Sequence, residues 1–164
     1  MIETIQLRIA TTDDVPAIMD IETPVFGGEA WSFEAMARDV GDKNCFYLVA
    51  EAHTDALGGE PAVVGYAGLL APRGSGDGDI QTIAVVPEFR SVGLGRMLMN
   101  ALLEEAEARN ATRVFLEVRA DNPHAIALYA SLGFEEIAVR PGYYQPEGVD
   151  AVIMKKIGRA SCRE

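Results

Sequence analysis

Apolar and polar residues alternate at the start of the chain, where Ile5, Leu7 and Ile9 are separated by Gln6 and Arg8. That period-two pattern predicts a half-buried strand. Thr11 and Asp14 follow at capping-box spacing, with Asp where Glu or Gln is usual, and predict a helix carrying Val15, Ile18, Met19 and Ile21. Pro24 and then Gly27-Gly28 are expected to stop it. Ser32 reads as the N-cap of a second helix reaching about Val40, with Gly41 as its stop. The apolar runs Cys45 to Ala52 and Ala62 to Ala71 predict a hairpin around the polar stretch His53 to Pro61. Arg73 to Asp79 is rich in Gly and Asp and reads as a surface loop, and Ile80 to Val86 as a buried strand stopped by Pro87.

Leu94, Met97, Leu98, Ala101, Leu102 and Ala106 then recur at helical spacing, with Glu104, Glu105 and Glu107 largely on the other side. Arg113 to Val118 reads as another strand. Asn122-Pro123 places a capping residue before a proline suited to the first helical position, opening a helix to Leu132 that closes on Gly133. Two final strands, about Glu135 to Arg140 and Asp150 to Lys155, flank a loop holding Gly142, Tyr143, Tyr144 and Pro146. Hairpins combined with one strand–helix–strand crossover predict the α/β class, a mixed sheet flanked by helices. Residues 1–156 are expected to form a single domain. Residues 157–164 carry no periodicity and resemble a translated sequencing-adapter segment. They are expected to be a non-native tail, an ordinary native tail being the alternative.

Composition narrows the classes. A chain of 164 residues, 49% hydrophobic, suffices for one core. A net charge of −11 argues against direct nucleic-acid binding, which needs a basic surplus. An acidic surface would attract a cationic partner, or serve solubility alone. No apolar run approaches the ~18 residues of a membrane helix and no signal peptide is visible, so a cytoplasmic protein without membrane attachment is expected. Cys45 and Cys162 make neither a disulfide framework nor a metal spacing, and His53 and His124 show no ligand or triad spacing. No metal is expected.

The stretch Asp79 to Arg96 carries the most chemistry: a strand, a turn, then a helix start containing glycine. Such a start leaves backbone N–H groups unpaired at the positive end of the helix dipole and suits phosphate. Gly93 and Gly95 match the first two glycines of a dinucleotide fingerprint, but Leu98 stands in the third place, and no Gly-Lys-Ser/Thr follows. An ordinary helix start with a tight turn is the alternative.

Arg90, Gly93 and Gly95 after an apolar strand resemble the acyl-coenzyme A pyrophosphate loop of the GNAT acetyltransferase superfamily. The likeness runs from the first strand to about Lys156 and is strongest to RimI-type N-terminal acetyltransferases. It rests on Ile83-Ala84-Val85, Gly93-Leu94-Gly95-Arg96, Leu116 to Asn122, Ala125 to Tyr129, Ser131 to Phe134, Tyr143-Tyr144 and Ala30-Trp31-Ser32.

The resemblance implies the GNAT fold and direct attack of an amine on the thioester of acetyl-coenzyme A. It implies that backbone amides of Ser91, Val92, Gly93, Leu94, Gly95 and Arg96 hold the pyrophosphate, and that Ile83, Ala84 and Val85 pair with the pantetheine arm. A backbone N–H near Val85 would polarise the thioester carbonyl, provided this strand splays from the strand at Arg113 to Val118. Glu117 would be the general base, through water, and Tyr129 the acid for the departing thiolate. Asn122 would contact the cofactor while capping its helix. Trp31, Tyr143 and Tyr144 would line the acceptor groove. Without the family, Glu117 reads as a surface partner of Arg119, Tyr129 as a core tyrosine, and Tyr143 and Tyr144 as surface or core aromatics.

The expected acceptor is a protein N-terminus, an N-terminal alanine of a ribosomal protein, and the expected assembly a monomer or weak dimer. A lysine side chain or small amine as acceptor is one alternative. A coenzyme A-binding sensor without turnover is another.

Overall fold

A computed structural model describes residues 4–53, 60–90 and 92–157 of the chain. The hairpin stretch 54–59, Ser91 and residues 158–164 of the expected tail lie outside the described residues.

The first strand, β1 (Thr4–Ile9), leads into a 3-10 turn at Thr12–Asp14 and helix α1 (Val15–Phe26). The capping box forms: the Asp14 carboxylate accepts from the Thr11 backbone N–H at 2.8 Å. Arg8 then clamps Asp14 with two hydrogen bonds of 2.7 and 2.8 Å, so strand and helix are tied by charge as well as by chain. Pro24, expected to end α1, lies inside it. The helix runs on to Phe26 and stops at Gly27, whose N–H still reaches the Thr23 carbonyl and whose φ of 55° favours glycine. A 3-10 turn at Gly27–Glu29 leads to Ser32, whose hydroxyl accepts from Ala35 N–H at 3.1 Å and opens α2 (Phe33–Val40).

The sheet continues with β2 (Cys45–His53), β3 (Ala62–Leu70) and β4 (Asp77–Val85). Then come α3 (Leu94–Ala108), β5 (Arg113–Arg119), α4 (Pro123–Ser131), β6 (Glu135–Tyr144) and β7 (Val149–Ile157). The seven strands are ordered β1-β2-β3-β4-β5-β7-β6, antiparallel except for β4 beside β5. The mixed sheet flanked by helices is therefore the observed architecture. No described helix is long and apolar enough to cross a membrane.

Two apolar layers sandwich the sheet. On one face Leu94, Leu98, Met99 and Leu102 of α3 pack on Leu48, Ala67, Leu69 and Leu116. On the other, Val15 and Ile18 of α1 and Met36 of α2 pack on Tyr47, Val49 and Tyr66. Consecutive β2 residues feed opposite layers, which is why that strand is apolar from Cys45 to Ala50. Met97, expected in the α3 core, is exposed and Met99 is buried instead. At about 100° per residue Met97 falls outside the arc running from Leu94 through Leu98 and Leu102 to Met99.

Two boundaries differ from expectation. Asp77-Gly78-Asp79 belongs to β4, not to a loop, because it pairs in parallel with Arg113, Val114 and Phe115. Gly78 is buried there: a Cβ would already touch Leu69 Cδ1 at 3.4 Å. Tyr143 and Tyr144, expected in a loop, end β6, whose register shifts between Arg140 and Tyr144. The shift sits at Pro141-Gly142, where Gly142 has φ 61° and donates its N–H to the Asp150 carboxylate at 2.9 Å.

Candidate active site

Strands β4 and β5 pair only over Asp77–Asp79 and Arg113–Phe115, then part. The divergence required for an open strand edge is thus present. Opposite Gly68 and Leu69, β4 carries one extra residue, Gln81, since Gly68 faces Thr82 while Leu69 faces Ile80. Beyond this bulge the Val86 N–H donates to Val64 O at 2.9 Å. Bonded pairs alternate along an antiparallel ladder, so Ala84 turns its backbone to Tyr66, and Ile83 and Val85 turn theirs to the open side. The Arg90 guanidinium donates to the Val85 carbonyl there at 3.0 Å.

Helix α3 begins beside this edge. Gly93 caps it in the left-handed region, with φ 86°, and no atom lies within 4 Å of where its Cβ would be. The first intrahelical bond runs from Met97 N–H to Gly93 O, leaving the N–H groups of Leu94, Gly95 and Arg96 without helical partners. Val92 is exposed, and Arg96 donates to Ser131 Oγ at 2.9 Å, tying α3 to the end of α4.

Where the strands part lies a cavity of about 860 Å³. Ile83 of β4, Glu117 of β5, and Asn122 and Tyr129 of α4 with its cap all line it, together with Trp31, Tyr143 and Tyr144. Trp31 precedes α2 and the tyrosines end β6, so the cavity has a wall from each side of the sheet edge.

Glu117 does not pair with Arg119. Its carboxylate accepts from Arg140 at 2.8 Å. Glu117, Ile153 and Ala138 stand in one cross-strand row, and Arg140, two residues past Ala138, reaches back over β7. The Arg140 guanidinium also lies 4.0 Å from the Tyr143 ring centroid. Arg119 instead bonds Asp121 at 3.0 Å, meets Glu29 at 3.4 Å and sits 5.2 Å from the Tyr144 ring centroid. It therefore links the two walls.

Tyr129 is buried and meets Phe134 edge-on with ring centroids 6.2 Å apart. Burial, reinforced by Tyr144, pushes its phenol up to about 12, so it carries its proton at neutral pH. The Tyr144 phenol is also pushed up to about 12, first by burial and then by Glu117. Asn122 accepts from Ala125 N–H at 3.1 Å, which occupies its side-chain oxygen as a helix cap.

Two cavity acids were not singled out by the pattern of the sequence. Asp79 has its carboxyl raised above the ordinary range by burial, then by Asp77 and Glu117. Glu22 of α1 is fully buried, accepting from Trp31 N–H and Thr82 Oγ1 at 3.0 Å each, and from the Tyr66 hydroxyl. A signal was available for Glu22, which falls in helical phase with Val15 and Ile18, inside the apolar stripe. Asp39, Asp42 and Cys45 also cluster within metal-binding reach, outside the cavity lining.

Chemically, the arrangement offers amides for an anion, an open strand edge for an extended ligand, and a carboxylate and a phenol around one cavity. Comparison with known proteins places it. The family model described as Acetyltransferase (GNAT) family matches residues 15–134. The uncharacterized protein ML0378 of Mycobacterium leprae is 37% identical over 94% of this chain, which spans only 41% of that relative's length. N-alpha-acetyltransferase RimI of Mycobacterium tuberculosis is 32% identical, with 94% of this chain and 93% of the relative covered. The crystal structure of the ribosomal-protein-S18-alanine N-acetyltransferase from Escherichia coli superposes with a TM-score of 0.78 and 30% identity, covering 94% of both chains. With most of its length matched in both sequence and fold, the chain belongs to the GNAT family of acetyltransferases.

Proposed function

We propose that this chain, as one domain over residues 1–156, moves the acetyl group of acetyl-coenzyme A to the N-terminal α-amine of a protein, an N-terminal alanine of a ribosomal protein. The observation that carries the reading is the open edge of β4 beside the α3 start, with Glu117 and Tyr129 lining the cavity between β4 and β5. The similarity to proteins named for ribosomal-protein alanine acetylation supports the acceptor.

In this reading the amides of Val92, Gly93, Leu94, Gly95 and Arg96, with Ser91, hold the pyrophosphate. Ile83 and Val85 offer main-chain groups to the pantetheine arm, and Ala84 contributes to the strand that presents them. The Val85 N–H polarises the thioester carbonyl, where developing negative charge is stabilised most. The neutral amine attacks the carbonyl carbon, the C–S bond breaks, and the amine proton passes through water to Glu117. Arg140 holds that carboxylate in place by donating to it at 2.8 Å. A free α-amine has a reference pKa of about 7.7–8.0, against about 10.4 for lysine, so a carboxylate-held water suits it better. Tyr129, at about 12, is a weaker acid than a thiol and stabilises the leaving thiolate chiefly by hydrogen bonding. Asn122 borders the cofactor as a cap. Trp31, Tyr143 and Tyr144 seat the peptide. The setting is a cytoplasmic monomer or weak dimer without metal.

The test is incubation with acetyl-coenzyme A and matched peptides whose N-termini are free or blocked, the acetyl group being located by mass spectrometry. Acetylation of the free α-amine is expected. Modification only of the blocked, lysine-containing peptide would overturn the reading.

A further inference from the structure

Glu22 is 1% exposed, yet it borders the cavity, and no cationic side chain pairs with it among the described residues. A buried carboxylate without a counter-ion persists only where hydrogen bonds replace its lost water. Here they come from separate elements: Tyr66 on β3 and Thr82 on β4 donate to Oε1, and the Trp31 backbone N–H donates to Oε2. Burial, followed by the Glu22 charge, raises the Tyr66 phenol, so that hydroxyl remains a donor.

These bonds join two parts of the site. Thr82 is the residue before Ile83, whose main chain faces the open edge, and Trp31 stands on the acceptor wall between α1 and α2. Only Glu22 bridges the Trp31 backbone to β4 among the described hydrogen bonds. Its two oxygens divide the work, one holding the sheet and one holding the wall.

We propose that Glu22 is a positioning residue for the acceptor, a latch that sets how far the Trp31 wall stands from the strand presenting the thioester. This rests on the acetyl-transfer reading of the cavity and deepens it. Glu22 touches no reacting atom. Its effect passes through Trp31, on the acceptor, and leaves the cofactor's own contacts at the α3 start untouched.

Trp31 is the only tryptophan in the chain, so its fluorescence reports on the wall without any turnover. Glu22→Leu removes both acceptor oxygens at similar size and leaves the Trp31 N–H and both hydroxyls without their partner, whereas Gln could still accept from Trp31 while its NH₂ donates to the hydroxyls. The expected result is red-shifted, more readily quenched Trp31 emission in the free protein. The acceptor-peptide KM should rise about tenfold, the size of one lost hydrogen bond, with acetyl-coenzyme A KM within about twofold of wild type. Unchanged emission, or equal shifts in both KM values, would overturn the latch. Should Glu22→Leu fail to fold, Thr82→Val removes one sheet donor and must move emission and acceptor KM in the same direction by less; no change in either overturns it. A wild type that acetylates no N-terminus would count against the functional reading, while the emission readout still decides the latch.

Discussion

Glu117 and Tyr129 illustrate how much one side chain's setting decides. Both border the cavity, but Glu117 is held by Arg140 whereas Tyr129 is buried beside Phe134. Replacing Glu117 by Gln is expected to lower kcat by about a hundredfold or more, the ordinary yield of general-base catalysis. Tyr129→Phe should cost about ten- to a hundredfold, the worth of a hydrogen bond to a charged leaving group. Coenzyme A binding, followed by calorimetry, should survive both changes; near-full activity in both would remove these residues from the mechanism. The phenol's rise to about 12 gives a further expectation. Its acid form is lost only as pH climbs through that value, so Tyr129→Phe should lower kcat evenly across the ordinary assay range without moving the profile. At this scale residue type in motif was legible, but partners were not. Glu117 meets Arg140 because β7 and β6 follow β5 in the sheet, an ordering that sequence spacing does not encode. Glu22 stands in helical phase with Val15 and Ile18, a signal for burial that its charged type masks.

Elements were legible where local chemistry settled them. The Thr11–Asp14 box, the Ser32 cap and the Asn122-Pro123 start each form as their side chains require. Boundaries failed where long-range pairing overrode composition: Asp77-Gly78-Asp79 has turn chemistry, but β5 recruits it into the sheet. Pairing also makes some small residues obligatory. A Cβ on Gly68 would lie 2.2 Å from the Tyr47 ring, which is itself fully buried. Gly68→Ala should therefore destabilise by about 1–3 kcal/mol, as overpacking does. Thermal melts would show it as about 2–4 °C per kcal/mol for a chain of this size. The junction of β1 and α1 supplies a pH test. Arg8, followed by the Thr11 N–H, holds the Asp14 carboxyl below its ordinary 3.8, against the opposing effect of burial. A depressed folded pKa means stabilisation that is present above 3.8 and lost as pH falls through the folded value. Asp14→Asn should cost about 1.5–3 kcal/mol at neutral pH, and the gap to wild type should close in acid denaturation below the folded value.

The whole molecule places an open strand edge, a helix start and two walls around one cavity, and this convergence is what neither motif nor period displays alone. The family pattern anticipated the parting of β4 from β5, yet the bulge at Gln81 that re-aims β4 before its open edge emerges only from the strand register. Likewise, Arg119 reaches both Glu29, ninety residues earlier in the sequence, and the Tyr144 ring, and so links the two walls of the site. Under the proposed function, the acidic balance of −11 would favour a basic acceptor segment over an anionic one. The central claim is transfer to an α-amine, and one measurement reaches it directly. A single peptide with a free N-terminal alanine and an internal lysine is offered with acetyl-coenzyme A, and fragment ions locate the acetyl group after partial turnover. The account predicts acetyl on the alanine nitrogen with lysine unmodified. Acetyl on lysine with the N-terminus free would contradict it.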